Sequence, residues 1–324
     1  MNILHDIHTH NVFSSCCTDP AASTRAYLQK EAELGMRVFG LSNHLWDERV
    51  KGASNWYAKQ TVARGLEAKN AFSGAPAGLR TLFGAETEYY ACRDTLGMSP
   101  EGAAQFDYLL IPHSHLHMRN EVMADFPAIL EARERVKADM AKAMPYLPEK
   151  QLKAMAATLK EADLLAMFPD LEAKIDRVAY IGRALLDSFA GLLQNEAFLQ
   201  IAGRLPVSIA HSFSPCGVPS AEKNAYLRAI DDADITPLYR AAARLGVYIE
   251  LNIGAIREVS QNLADNRLIE IYRLAKAAGC RFTFGTDSHT VRGLEAIRFG
   301  NEVAAALELT PADIAEFVRD GVEA

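Results

Sequence analysis

Short apolar runs that end in polar residues alternate along this chain with longer stretches where Leu, Ala, Glu and Lys recur at helical spacing. The runs are Ile3-Leu4 leading into His8, Arg37 to Leu41, Leu79 to Ala85, Tyr108 to Ile111, Pro206 to Ala210, Gly246 to Leu251 and Arg281 to Gly285, seven in all. Such alternation predicts βα units with parallel strands. A helix is expected from Ser23 to Leu34, closing on Gly35, and another from Asn262 to Ala278, closing on Gly279. Thr310-Pro311 reads as the N-cap and first residue of a last helix over Ala312 to Val318.

Periodicity cannot separate an open doubly wound sheet from a closed barrel, but the polar residues can. Nearly every run ends in chemistry: His8 and His10, Asn43-His44, Glu86 with Glu88, His113 and His115, His211, Glu250 with Asn252, and Asp287 with His289. A barrel gathers the carboxyl ends of all its strands at one mouth, whereas an open sheet gathers only those at its switch point. A distorted, TIM-like (β/α)7 barrel is therefore the expected fold.

The connection from His115 to Pro206 is too long to be a structureless loop. Its composition predicts a helical insertion between strands 4 and 5, at about 118–204, with helices over Phe126 to Ala143, Glu149 to Met167 and Leu171 to Ala202. Pro145, Pro148 and Pro169 punctuate it. The insertion is either extra packing and a surface for oligomer formation, or a cap over the ligand-bearing side. The chain reads as one domain, 1–324, with this insertion.

An apolar fraction of 49% with 23% charged residues is ample for a core. A net charge of −7 and the lack of a basic tract argue against nucleic acid as a partner, while a small anionic substrate stays open if metal ions supply local positive charge. The first residues lack the basic and apolar regions of a signal peptide, and no stretch reaches membrane-spanning length. Five cysteines, two of them adjacent at Cys16 and Cys17, do not suggest a disulfide framework. Together these features predict a reduced, cytoplasmic protein.

On an extended backbone His8 and His10 share a face and can offer imidazole nitrogens to one ion. Imidazoles and carboxylates around one cleft suit two or three divalent ions such as Zn, Mn or Fe, and Glu86 or Asp287 can bridge neighbours. Such sites ionise water near neutral pH and clamp phosphate oxygens, so phosphoester hydrolysis follows most naturally.

These motifs, D-x-H-x-H at Asp6 to His10, His44 in GLSNH, Glu86 in GAETE, the pair in IPHSH, His211 in SIAHS, and Asp287 and His289 in GTDSH, resemble the PHP family, named for polymerase and histidinol phosphatase. The resemblance runs from Met1 to about Gly300. It implies a distorted (β/α)7 barrel whose mouth binds up to three metal ions and hydrolyses phosphate esters, with Asp287, Glu86 and His289 at the catalytic positions. Carried across, His8, His10, Glu86 and Asp287 hold a first metal, and His44 and His289 a second. Glu86, His211 and His115 hold a third, with His113 as the alternative to His115.

Phosphatase-type members carry a further histidine at the position of Cys16. A thiolate there is a competent zinc ligand; otherwise Cys16 is a bystander, with Asp19 or water in its place. Arg257 and Arg292 are candidates for binding the substrate phosphate as planar forks, and Arg119 is a further one. Trp46 either stacks on a substrate ring or packs. Glu250 and Asn252 either line the mouth or serve as structural hydrogen-bonding residues. Asp6 is expected to orient a ligand imidazole, and Cys92, Cys216 and Cys280 to pack without reacting.

The expected function is a metal-dependent phosphoesterase acting on a small phosphorylated metabolite through a hydroxide held between metals. Histidinol phosphate, and with it a place in histidine biosynthesis, comes first by resemblance, followed by nucleotide or sugar phosphates. The rivals are a metal-dependent C–N or ester hydrolase, disfavoured by the lack of a strand-end lysine to form a bridging carbamate, and a binding protein with a degenerate site.

Overall fold

The structure, a computed structural model, describes residues 1–72 and 74–323. Seven parallel strands lie in sequence order around a barrel: β1 (His5–Asp6), β2 (Val38–Leu41), β3 (Arg80–Glu86), β4 (Tyr108–Pro112), β5 (Val207–Ala210), β6 (Tyr248–Asn252) and β7 (Phe282–Gly285). Each pairs in parallel with its sequence neighbour, from His5 opposite Val38 through to Gly285 opposite Asn252. The barrel closes between β1 and β7, where Ile7 N donates to Phe284 O at 3.1 Å, Asp287 N to His8 O at 2.7 Å and His10 N to Ser288 O at 2.9 Å. The fold expected from the pattern is the fold observed.

Tyr108 fills the lumen. Its ring lies against two glycines, because a Cβ on Gly84 would sit 2.3 Å from Tyr108 Cζ and a Cβ on Gly40 the same distance from the hydroxyl. That hydroxyl donates to Ile7 O at 2.5 Å, tying β4 to β1 across the interior. At the amino-terminal end Asn2–Ile3 pairs antiparallel with Val322–Glu323. His5 spends both ring nitrogens on backbone there, Nδ1 donating to Gly321 O and Nε2 accepting from Phe284 N.

Helix boundaries follow local chemistry. Ser23 caps Thr24–Glu33 through a bond from Ala26 N, and Gly35 follows at φ +79°. The segment expected as Asn262 to Ala278 is a short 3-10 turn, Leu263–Asp265, and a helix, Arg267–Ala277, because the Asn266 side chain caps a new start at Leu268 N. The last expected helix is two 3-10 turns, Pro311–Asp313 and Glu316–Gly321, since Ile314 and Ala315 leave helical geometry.

The insertion is more broken than three helices. It comprises Pro127–Ala143, Glu149–Thr158, Glu161–Met167, Pro169–Glu172, Arg177–Leu192 and Glu196–Ala202. Leu159 is extended at ψ 136°, and Pro169 restarts the chain as a first helical residue. Phe189 of the long helix Arg177–Leu192 stacks on His113 with centroids 4.5 Å apart, so the insertion packs against the segment that leaves β4. Leu130, Tyr146, Met155, Met167 and Val178 stay exposed on it. No helix among the described residues is long and apolar enough to cross a membrane.

Replacing Gly84 by Ala drives a methyl into the Tyr108 ring, and overpacking of a filled interior costs about 1–3 kcal/mol or more. Urea unfolding of Gly84→Ala is expected to show a loss of that size with an unchanged m-value; a wild-type midpoint would contradict the packing described.

Candidate metal centre

Glu86, the last residue of β3, is the hub. Its Oε2 lies 3.2 Å from His8 Nε2, 3.2 Å from His10 Nε2 and 3.3 Å from His44 Nε2. Its Oε1 lies 3.1 Å from His211 Nε2 and 3.9 Å from His115 Nε2. Asp287 Oδ1 completes the near side at 3.2 Å from His10 Nε2 and 3.5 Å from His8 Nε2. The His289 ring stacks on His10 with centroids 4.7 Å apart. The structure therefore brings His8, His10, His44, Glu86, His115, His211, Asp287 and His289 to the carboxyl ends of six of the seven strands, and the seventh, β6, supplies Glu250.

A second ring of residues aims these imidazoles. His8 Nδ1 donates to Glu250 Oε1 at 2.6 Å, His115 Nδ1 to Glu88 Oε1 at 2.7 Å and His289 Nδ1 to Asp287 O at 2.8 Å. Ser114 Oγ, whose own proton goes to His211 O, accepts from His211 Nδ1 at 2.8 Å. Each bond places the proton on Nδ1 and leaves Nε2 free, turned toward the hub in His8, His115 and His211, the arrangement characteristic of metal-ligating histidines. Gly285 makes room for it: a Cβ there would lie 2.3 Å from His8 Cβ and 2.4 Å from Glu250 Oε1. Glu250 also accepts from His211 N at 2.7 Å, so its role is orientation.

Lone pairs then face lone pairs. His8 Nε2 and His10 Nε2 are 3.0 Å apart against the same carboxylate oxygens, and buried His10 Nδ1 has no hydrogen-bond partner among the described residues. Divalent cations fit this donor set. Four groups have ligand atoms within 4.8 Å of one another: His8, His10 and Asp287; His10, His44 and Glu86; His10, Cys16 and His289; and His115, His211 and Cys216.

Without a metal ion, protons take that place: against burial, Glu250, Asp287 and Glu86 raise the pKa of His8, and Cys16, Asp287 and Glu86 that of His10. Burial opposes charge on Glu86, yet His44 and His8, with bonds from His10 and His211, hold its carboxyl well below the usual range. Burial likewise opposes ionisation of Cys16, but the positive field of His10 and bonds from His10, His289 and His44 bring that thiol down to about 3. Cys216 is shifted down by His211 and His115 against the same burial penalty. Two residues of the cluster carry backbone strain: His211 at φ +29° and Asp287 at φ +57°. Strained φ values of this kind cluster at functional sites.

Several expectations are corrected. His113 is no alternative to His115, because its Nδ1 donates to Leu185 O and its Nε2 accepts from Phe213 N, which uses both nitrogens; burial, then the nearby His211, brings its pKa down to about 3. Asp6 binds backbone and Thr286, not an imidazole: it accepts from His8 N at 3.2 Å, Thr286 N at 3.0 Å and Thr286 Oγ1 at 2.6 Å, pinning the barrel seam. Asp19 accepts from Ala21 N and stays out of the cluster, whereas Cys16 enters it. Trp46 packs between Tyr57 and Tyr90, its Nε1 donating to Val50 O. Cys216 is not isolated packing. Arg257 is exposed above Phe299 at 6.0 Å and Arg292 is exposed; among the described residues no hydrogen bond or ion pair joins either to the cluster. Arg119 lies over Phe126 at 4.9 Å. The orienting role of Glu88 went unassigned, although its place two residues after Glu86 puts it on the same strand face.

No protein-family model and no curated protein matches the sequence. Among solved structures the chain is similar to a histidinol phosphate phosphatase from Lactococcus lactis subsp. lactis, determined with zinc, L-histidinol and phosphate. The TM-score is 0.56 at 14% identity, over 96% of this chain and 95% of that one. That likeness establishes the barrel fold.

Glu88→Gln keeps an oxygen for His115 Nδ1 and for Tyr57 Oη but removes the charge behind the imidazole. Changes to such orienting partners cost about 10–100-fold in metal affinity. Competition with a chromophoric chelator is expected to show a weakening in that range, with an unfolding midpoint for the metal-free protein close to wild type.

Proposed function

We propose that this protein is a metal-dependent phosphoesterase that hydrolyses a small phosphorylated metabolite, with histidinol phosphate the first substrate to test and mononucleotides and sugar phosphates next. The observation that carries the reading is the convergence of five histidines on the two oxygens of Glu86, with Asp287 and His289 alongside. The histidinol phosphate phosphatase that shares the fold was solved with zinc and phosphate, which supports the same chemistry here.

His8, His10, Glu86 and Asp287 would hold one ion, His44, His289 and Cys16 a second, and Glu86, His115 and His211 a third. Two or three bound divalent ions would supply a water ionised near neutral pH and neutralise charge on the phosphate oxygens. Glu86 keeps the sites at a fixed spacing because each of its oxygens faces a different set of imidazoles. Asp287, whose side chain is 29% exposed, lies where the cluster meets solvent, and we assign it the orientation of the attacking water. Burial of His8, His10, His44, Glu86, His115 and His211 keeps bulk water from competing at those atoms. Trp56, 43% exposed with its ring 5.1 Å from that of His44, offers an apolar rim against which a leaving group can rest.

Protein purified without chelator is expected to carry two or three equivalents of Zn, Mn or Fe and to release phosphate from at least one ester of the panel. Glu86→Gln and Asp287→Asn are expected to abolish release while circular dichroism stays native. Full activity in either variant would overturn the assignment, and a chain that binds no metal would leave the site a degenerate one.

A further inference from the structure

The loop after β5 folds back on the segment after β4 and carries a cysteine with it. Ser214 N donates to His211 O at 2.9 Å and Cys216 N to Ser114 O at 3.0 Å. Gly217 follows at φ +91°, where a Cβ would lie 2.7 Å from His117 Cβ, so only glycine lets the loop come this close. The backbone is strained on the way, with His211 at φ +29° and Phe213 at φ +60°. The product of this geometry is a half-buried thiol whose sulfur lies within 4.8 Å of ligand nitrogens of both His115 and His211. Those rings have their Nδ1 atoms committed to Glu88 and Ser114, and their Nε2 atoms face Glu86 Oε1 at 3.9 and 3.1 Å.

We propose that Cys216 joins Glu86, His115 and His211 as a fourth protein donor, making the third metal position a closed, zinc-selective anchor that takes no part in binding substrate. The inference rests on the metal-dependent reading above and refines it. Four protein donors including a thiolate are what zinc takes in closed sites, whereas catalytic sites keep a position open. A soft sulfur donor selects zinc over manganese. The second position, with His44, His289 and Cys16, has only three protein donors, and its His289 and Cys16 are part-exposed, so substrate is assigned to that side. As the sulfur–metal bond forms, the thiol proton passes to the buffer.

Two measurements on the full chain test this. In the first, metal is stripped with a chelator and replaced by Co(II) in Cys16→Ala, in Cys16→Ala/Cys216→Ala and in Cys16→Ala/Cys92→Ala. A sulfur-to-cobalt charge-transfer band in the near ultraviolet is expected in the first and third and absent from the second. In the second, which needs no variant, iodoacetamide labelling of Cys216 is mapped by mass spectrometry with and without zinc, and zinc is expected to protect it. Equal labelling in both states, or no band in Cys16→Ala, overturns the inference; if zinc still binds and phosphate is still released, the phosphoesterase reading survives it. Protection of Cys216 without release of phosphate from any ester supports the anchor and counts against the phosphoesterase.

Discussion

One buried carboxylate sets the terms for the rest of the molecule. Glu86 can be surrounded by imidazoles only if β3 ends level with its neighbours on both sides, and a parallel barrel imposes that alignment. Packing then serves the alignment. Tyr108, wedged between Gly40 and Gly84, fixes the distance across the lumen, and Asp6 fastens β1 to β7 through Thr286 and the backbone of His8. Burying so many titratable groups together costs solvation that hydrogen bonds alone do not return, since several of the atoms that meet are all acceptors. Bound cations would supply what is missing.

The arrangement is layered. Inner atoms carry lone pairs, and the next shell, Glu250, Glu88, Ser114 and the carbonyl of Asp287, holds the protons that keep those lone pairs pointing inward. Each outer partner comes from a different part of the chain than the ring it serves, except the carbonyl two residues before His289. Ring orientation is therefore a property of the closed barrel and would be lost with the seam.

The barrel and most of the centre could be read from the chain because parallel strands end in consecutive places and each apolar run stops at its functional residue. His8 and His10, Glu86, and Asp287 with His289 are local signals of that kind. Contacts made across the fold could not be read. Nothing near His113 reveals that Leu185, far along the insertion, takes its Nδ1 proton, and nothing near Cys216 reveals that Ser114 draws its loop inward. The insertion misled for the opposite reason: helical composition runs on through Leu159 and Lys160, where the backbone turns extended and a new helix begins. Asp6 was misjudged because its partner, Thr286, is distant in sequence and close only once the barrel has closed.

The tyrosine that plugs the lumen has a consequence for traffic. With Tyr108 fully buried and the amino-terminal end covered by the pairing of Asn2–Ile3 with Val322–Glu323, the described residues leave no passage through the lumen. Access to Glu86 is then from the mouth, where Asp287, His289 and Cys16 are part-exposed. A ligand seated there would have to clear the mouth before the next could enter.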